Sequence, residues 1–356
     1  MTGVLERFAG HEQVVFGEDA ASGLRCIIAV HSTALGPAVG GTRFRAYAHE
    51  DDALEDVLRL SRAMTYKNAC AGLDAGGGKA VIIGDPAQLR SEALLRAYAR
   101  QIASLNGRYV TACDVGTTPS DMATIRRETP WATGAEVADG GSGDSGVLTA
   151  LGVFHAITAC AHLTWGEADL TGRHVAVQGL GKVGSRLTAH LVDAGAGVSV
   201  ADPSERAVAR VADLPGVDVV GVEEILGLDA DVLSPNALGA VLDEESVEQV
   251  RAAVVCGGAN NQLATPEQAR RLAERDVLYA PDYVVNAGGV INVAQELHPL
   301  GYAEERARRL VERIPATLTE VVETARAEGI DTETAASRVA ERRIAAVGRL
   351  RGFWLP

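Results

Sequence analysis

The sequence predicts a two-domain α/β protein in which a mixed N-terminal domain is followed by a doubly wound parallel sheet. Three observations carry that expectation. A length of 356 residues exceeds what one hydrophobic core ordinarily organises, at about 150 residues per domain. A glycine-rich stretch, Gly134-Ala-Glu-Val-Ala-Asp-Gly-Gly-Ser-Gly-Asp-Ser-Gly146, changes the composition abruptly and reads as the crossing between domains. Beyond it strand-like and helix-like segments alternate, as parallel strands joined by helical crossovers do. The expected domains are residues 1–135, with about 330–356 packing back on them, and residues 136–329, with a cleft between the two.

Residues 12–31 read as a hairpin: 14–16 and 24–30 are apolar and rich in β-formers, and Asp19-Ala-Ala-Ser-Gly23 supplies the turn. From Asp51 the apolar spacing becomes helical, with Leu54, Val57, Leu58, Ser61 and Met64 on one stripe and acidic residues at the start, so Lys67 is expected just beyond the helix. Residues 80–83 read as a short strand, which puts Lys79 where a loop enters it. A helix over about 91–105 stops before Asn106-Gly107. Residues 108–113 then read as a strand with Asp114 at its carboxyl end, the place where open α/β sheets hold their chemistry. After a connecting helix, 147–162, come strands at 175–178, 198–201, 217–220, 232–234, 254–256 and 277–280, with helices at 187–194 and 207–212. The C-terminal stretch is charged and helical.

The excess of 47 acidic over 33 basic residues gives a net charge of -14, which opposes binding to nucleic acid or to an anionic membrane surface. The opening Met-Thr-Gly-Val-Leu-Glu-Arg lacks a basic stretch followed by an apolar one, and no apolar run is expected to reach the roughly 18 residues of a membrane span. A soluble cytoplasmic protein is the expectation. The cysteines at 26, 70, 113, 160 and 256 form no C-x-x-C pair, so neither a disulfide framework nor a zinc site is suggested. They read as small buried apolar residues, with Cys113 set apart by its neighbour Asp114.

Gly179-Leu180-Gly181-Lys182-Val183-Gly184 follows a strand and opens a helix, the setting in which a G-x-G-x-x-G binds a dinucleotide. Its glycines admit a pyrophosphate to the backbone, and the helix N-terminus meets the charge. Asp202 ends the next strand, where a carboxylate accepts hydrogen bonds from an adenosine ribose and repels a 2′-phosphate, so NAD is expected rather than NADP. Gly76-Gly-Gly-Lys79 is not a phosphate loop, because Leu73 stands at the first glycine position of that pattern and Ala80 at its Ser/Thr position. Three glycines before a lysine instead let the backbone come close to a ligand. From local sequence alone Lys79 reads equally as a solvated charge. If Lys67 and Lys79 face one cleft, each lowers the other's pKa, leaving one a cation for a carboxylate and the other partly neutral, with Asp114 as proton carrier.

The runs Leu35-Gly-Pro-Ala-Val-Gly-Gly-Thr-Arg43, Met64-Thr-Tyr-Lys-Asn68, Gly76-Gly-Gly-Lys79, Asp114-Val-Gly-Thr117, Gly179-Leu-Gly-Lys-Val-Gly184, Gly258-Ala-Asn-Asn261 and Ala280-Pro-Asp-Tyr-Val-Val-Asn-Ala-Gly-Gly289 appear in one order over nearly the whole chain. Together they resemble the superfamily of glutamate, leucine, phenylalanine and valine dehydrogenases, its valine branch first and its leucine branch next. The resemblance implies an oxidoreductase that carries out NAD-dependent, reversible oxidative deamination of an apolar L-amino acid, foremost L-valine and also L-leucine or L-isoleucine, to the 2-oxo acid and ammonia. It further implies a homo-oligomer, dimer or octamer, formed through the N-terminal domain; the glycine motif points to a Rossmann second domain, and no metal is expected.

Carried onto this chain, the resemblance implies that Lys67 holds the substrate α-carboxylate with help from the backbone at Gly40-Gly41. Lys79 would activate water, and Asp114 would exchange protons with the departing nitrogen. Asn261 would help fix substrate and nicotinamide ribose. Ser145, Thr149, Ala237, Ala259, Asn260 and Asn286 would join the glycine motif around the cofactor. Val39 stands where glutamate enzymes carry a lysine for the side-chain carboxylate; with Met64, Val290 and Val293 it implies an apolar pocket. Ser234-Pro-Asn236-Ala-Leu-Gly departs from the Ala-Pro-Cys-Ala-Leu-Gly of branched-chain relatives, and Asn236 is expected to add a hydrogen bond near the nicotinamide ribose. A phenylalanine dehydrogenase and a non-catalytic NAD-binding sensor are the alternatives. Valine and its larger neighbours differ by a methylene or two, worth only about 1–3 kcal/mol.

Overall fold

A computed structural model describes residues 4–8 and 10–351. The chain divides into two compact units, the first made of Met1–Ser145, Val290–Arg306 and Ala340–Pro356, the second of Gly146–Gly289 and Ala307–Val339. The first unit thus runs to Ser145 rather than to 135, takes in 290–306, and claims the C-terminal stretch only from 340; residues 352–356 of that stretch lie outside the described residues.

In the first unit β1 (Gln13–Asp19) and β2 (Leu24–Ser32) form the expected antiparallel hairpin, Gln13 opposite Val30 and Asp19 opposite Leu24. The Asp19 carboxylate accepts the Ser22 N–H and closes the turn. Two short strands, β3 (Ala38–Val39) and β4 (Thr42–Arg45), both run parallel along one side of β5 (Gly76–Ile83), with Val39 beside Gly77 and Thr42 beside Ala80. On its other side β5 pairs antiparallel with β2, and β6 (Tyr109–Val110) lies beside β3. The expected strand over 108–113 shrinks to β6 because its remaining residues pair singly, Thr111 with Ala132 and Cys113 with Thr42.

Helix α1 (Glu50–Cys70) begins where the Asp52 carboxylate accepts the His49 N–H, and its first turn is acidic, as the positive end of the helix dipole favours. It is longer than expected. Buried Asn68, Ala69 and Cys70 continue its inner face, so Lys67 lies in the last turn rather than beyond it. Strand β5 also starts early, at Gly76, and Lys79 sits within it rather than at its mouth. Glycine costs a strand its packing, yet here it is required: a Cβ on Gly77 would lie 2.1 Å from the backbone nitrogen of Thr65 in α1. Alternation along β5 sends Ala80 and Ile82 into a core shared with Leu94 and Tyr98 of α2 (Glu92–Ser104) and Met122 and Ile125 of α3 (Pro119–Arg126). Val81, and with it Lys79, faces the α1 side, where Leu54, Val57 and Leu58 complete a second cluster. Each large aliphatic side chain so buried contributes roughly 1.5–3 kcal/mol. Residues 340–351 are tied to this unit by Arg343, which donates to the Leu73 carbonyl and to Asp74 at 3.1 Å, and by the Tyr66 hydroxyl on Glu341 at 3.0 Å.

The second unit is a six-stranded sheet, all parallel. Its strands are β7 (His174–Gln178), β8 (Gly197–Ala201), β9 (Val217–Val219), β10 (Val232–Pro235), β11 (Val254–Val255) and β12 (Leu278–Tyr279), in the order β12-β11-β10-β7-β8-β9. The chain builds outward from β7 on one side and then on the other, so the winding reverses beside β7, where such sheets bind nucleotides. The helix expected over 207–212 is the single turn Glu205–Val208, and residues 209–212 continue as turns. Helix α4 (Gly146–Trp165) corrects the expectation about apolar runs: it is long and apolar enough to cross a membrane. Within the unit it packs against α5 (Gly184–Asp193) and α6 (Ile314–Glu328), with half of its apolar window buried.

Candidate active site

In the first unit, the gap between β3 and β4 is Gly40-Gly41, which passes Gly78 and Lys79 of β5 without pairing as strand. The approach is too close for side chains. A Cβ on Gly40 would meet the Gly78 carbonyl at 1.9 Å and Met64 Cγ at 3.1 Å, and one on Gly41 would meet Asp114 Cβ at 3.0 Å. The buried Tyr109 hydroxyl donates to the Gly40 carbonyl at 2.7 Å. These contacts gather Val39, Gly40, Gly41, Met64, Lys79 and Asp114 in one place, and Lys67 follows Met64 by one turn of α1.

Lys79 Nζ donates to Asp114 Oδ2 at 3.1 Å, and the same oxygen accepts Arg43 Nε at 3.1 Å. Arg43 reaches on to Asp56 of α1 through Nη1 at 2.9 Å, where the Tyr47 hydroxyl and Arg59 also donate, at 2.8 and 3.0 Å. Thr117 fixes the other end of Asp114: its hydroxyl accepts the Asp114 N–H at 2.9 Å and donates to the Thr42 carbonyl at 2.9 Å. Burial lowers the Lys79 pKa, Asp114 opposes that, and Arg43 lowers it further. The positive neighbour seen to add to the lowering is thus Arg43, where the sequence pointed to Lys67. Burial works upward on Asp114, but Lys79 and Arg43 outweigh it and hold the carboxyl below its ordinary range. The pair is therefore a carboxylate hydrogen-bonded to an amine that gives up its proton more readily than a free lysine.

Val290 and Val293 belong to the helix Gly288–Ala294; Val290 is buried, and Val293 Cγ1 lies 3.8 Å from where a Cβ on Gly134 would stand, a point also 3.7 Å from Cys113 Sγ. Cys113 donates weakly to the Gly134 carbonyl at 3.5 Å. Glu296 anchors this wall. Its Oε1 accepts the N–H groups of Gly134 at 2.9 Å and Ser142 at 2.8 Å, and Oε2 pairs with Arg126. Asn292 adds a bond to the Ser142 carbonyl at 3.2 Å.

In the second unit, Gly179 takes a positive φ of 88° after β7, and a Cβ on Gly184 would stand 1.9 Å from the Gly179 carbonyl, so the turn itself demands both glycines. Gly181 differs: a Cβ there would meet nothing within 4 Å. That open backbone at the start of α5, at the carboxyl end of β7, fits a dinucleotide pyrophosphate. Asp202 follows the last residue of β8 and accepts the Leu180 N–H at 2.7 Å and the Ser204 N–H at 2.8 Å, one on each oxygen. Asn236 spends its amide within the protein. It donates to the Ser234 carbonyl and hydroxyl at 2.8 and 3.0 Å and accepts the Gly258 N–H at 2.9 Å, so it fastens the end of β10 to the 258–261 loop. Ala237 packs on Gly179. Buried Asn286 donates to Asn260 Oδ1 at 2.9 Å and to the Gly258 carbonyl at 3.2 Å; Ala259 is buried beneath this loop, and Asn260 and Asn261 are exposed, Asn261 with a φ of 53°. Thr149 lies in the first turn of α4, and Ser145 ends the first unit.

Sequence reading missed four participants. Arg43 closes the run Leu35–Arg43 with nothing local to set it apart, Asp56 reads as one more acid of a helix, and Glu296 and the buried Gln262, which donates to the Gly257 carbonyl at 2.7 Å, give no local signal.

Residues 11–131 match the family model described as Glu/Leu/Phe/Val dehydrogenase, dimerisation domain, and residues 199–352 the one described as Glutamate/Leucine/Phenylalanine/Valine dehydrogenase. The chain belongs to this family. It is 54% identical to a valine dehydrogenase of Streptomyces virginiae over 94% of either chain, and 48% identical to a leucine dehydrogenase of Bacillus cereus over 99% of this chain and 95% of the relative. Among solved structures, an L-tryptophan dehydrogenase from Nostoc punctiforme superposes with a TM-score of 0.85 at 43% identity, covering 97% of this chain and 98% of that one. The family, the fold and these relatives make the chain an amino-acid dehydrogenase, an oxidoreductase with a nicotinamide dinucleotide as cofactor.

Proposed function

We propose that the chain deaminates L-valine, and more slowly L-leucine and L-isoleucine, to the 2-oxo acids with NAD as acceptor. The observation that carries the reading is the buried Lys79–Asp114 pair, joined at 3.1 Å, with the Gly41 backbone against Asp114 and the Met64 side chain against Gly40. Bound NAD supplies a hydride acceptor at nicotinamide C4. The chain's own groups do the rest. Lys67 neutralises the α-carboxylate, oriented by backbone at Gly40-Gly41. Lys79, in its neutral form, takes a proton from the water that attacks the oxidised Cα. Asp114, held ionised, receives that proton through Lys79 and returns it to the departing nitrogen. Val39 in place of a cation, with Val290 and Val293, supports an apolar side chain in the substrate.

The valine dehydrogenase at 54% identity supports valine over leucine. Asp202 supports NAD over NADP: its oxygens each keep a free lone pair after meeting Leu180 and Ser204, able to accept from a ribose hydroxyl and repulsive to a phosphate. The dimerisation-domain match over 11–131 supports a homo-oligomer, which we place in the cytoplasm. The test is reduction of NAD and NADP with L-valine, L-leucine, L-isoleucine, L-phenylalanine, L-tryptophan and L-glutamate. The highest kcat/KM for valine with NAD is the expected result; a preference for an aromatic substrate overturns the substrate assignment, and reduction of neither cofactor overturns the function.

A further inference from the structure

Arg43 joins the Lys79–Asp114 pair to Asp56, a carboxylate on another element that touches neither the lysine nor, in the reading above, the substrate. Its guanidinium is spread between two acids, Nε on Asp114 and Nη1 on Asp56, with side chains about as buried as those they serve: 16% exposed for Arg43 and 14% for Asp56. Tyr47 donates to Oδ2 of Asp56, the oxygen that also meets Arg43, and Arg59 to Oδ1, so the carboxylate stays put while Arg43 leans on it.

We infer that Arg43 and Asp56 are positioning residues that set, with opposite sign, the pH at which the Lys79–Asp114 pair gives up its proton. The inference rests on the catalytic reading of that pair. Arg43 presents a fixed positive charge in hydrogen-bond contact with Asp114, and a positive charge there favours loss of a proton from either partner. Asp56 subtracts from that charge. Other elements packed on β5 bring little to compete: the register partner of Lys79 on β2 is Ala29, β3 is Ala38–Val39, and β4 brings Arg43 itself and, two residues on and exposed, Arg45, which lies over the Tyr47 ring. From α1 come Asp56, its exposed partner Arg59 and, three turns on from Asp56, Lys67. The directions found for Lys79 agree, lowered by Arg43 and raised by Asp56. The two members of the pair titrate as a unit, but both move the same way when either outer charge is removed, so the sign survives whichever of them the rate reports.

The experiment is the pH profile of kcat/KM for L-valine with NAD in the intact enzyme and in Arg43→Gln, Arg43→Lys and Asp56→Asn. Substrate ionisation is common to all four and cancels. Removing the guanidinium charge is expected to move the rising limb toward alkali by about one pH unit or more, the size of effect a contacting charge has. Asp56→Asn is expected to move it toward acid, and Arg43→Lys to restore the limb while losing part of kcat through poorer geometry. A residue that merely braces the fold lowers the rate at every pH and leaves the limb in place, and that result in both Arg43→Gln and Asp56→Asn overturns the inference. A cooperative thermal melt with the parental Tm verifies that each variant is folded. Should Arg43→Gln not fold, the acid shift of Asp56→Asn decides alone. Lys79→Ala separates the two layers: if it retains turnover the catalytic reading fails, whereas a dead Lys79→Ala beside unmoved limbs fails only this inference.

Discussion

Gly77 of β5 and Thr65 of α1 are in contact so close that no side chain fits between them: a Cβ on Gly77 would stand 2.1 Å from both the backbone nitrogen and the hydroxyl of Thr65. Gly77→Ala must therefore push α1 away from the sheet. The expected cost is about 3 kcal/mol, the upper end for an overpacked core, read as a lowered Tm in calorimetry. Because Lys67 rides on the same helix, KM for the amino acid should rise as well. A variant with wild-type Tm and KM would show that α1 gives way freely.

Asp114→Asn retains an oxygen for Arg43 and Lys79 but cannot shuttle a proton. Turnover is expected to fall by about 10²- to 10⁴-fold, the usual weight of a positioned acid–base group, while NADH binding stays as in the parent. Steady-state kinetics with a fluorescence titration checks both halves. Turnover near the parental value would remove Asp114 from the chemistry.

Glu296 has its side chain 2% exposed and meets two N–H groups and Arg126. Glu296→Ala strands the Arg126 charge and two backbone donors, a loss of about 3 kcal/mol by the measure of broken buried pairs. Glu296→Gln keeps an oxygen for Gly134 and Ser142 and should recover part of it in urea unfolding. Both should change the leucine-to-valine ratio of kcat/KM, because Val293 loses its brace. An unchanged ratio in a destabilised protein would confine Glu296 to stability.

Glu333 titrates at about 8 rather than 4.5, raised by burial first and by Asp282 and Asp331 after it. The folded protein then keeps a proton that the unfolded chain releases. Its contribution is present in full below 4.5, is lost as pH rises toward 8, and is flat beyond. Glu333→Gln should be more stable than the parent at pH 9 and no more stable at pH 4. Tm differences equal at the two pH values would contradict this.

Periodicity made the second unit legible, because parallel strands buried on both faces read as short apolar runs at even spacing, and the glycine turn after β7 has a signature of its own. The first unit was harder. Its central strand starts with Gly76, Gly77 and Gly78, which propensity assigns to a loop; only tertiary packing against Thr65, invisible locally, makes them strand. The sequence places Lys67 outside α1 for a related reason, since the buried face that carries the helix to Cys70 includes the polar Asn68. Motifs located Lys79 and Asp114, whereas Arg43 and Asp56 become partners only through the pairing of β4 with β5 and the crossing of α1. Asn236 was legible as a departure but not in effect: its amide turned out to serve Ser234 and Gly258 rather than to stand free.

The first unit is assembled from three separated stretches of chain, so the valine wall at 290–293 and its brace at Glu296 are encoded downstream of the entire parallel sheet. Recombination with a relative at the Ser145–Gly146 junction alone would therefore transplant the glycine turn, Asp202 and the wall together. On the function proposed for those residues, a lineage that diversifies by such crossovers would inherit side-chain preference and nucleotide preference as linked traits, and separating them would require a second breakpoint near 289.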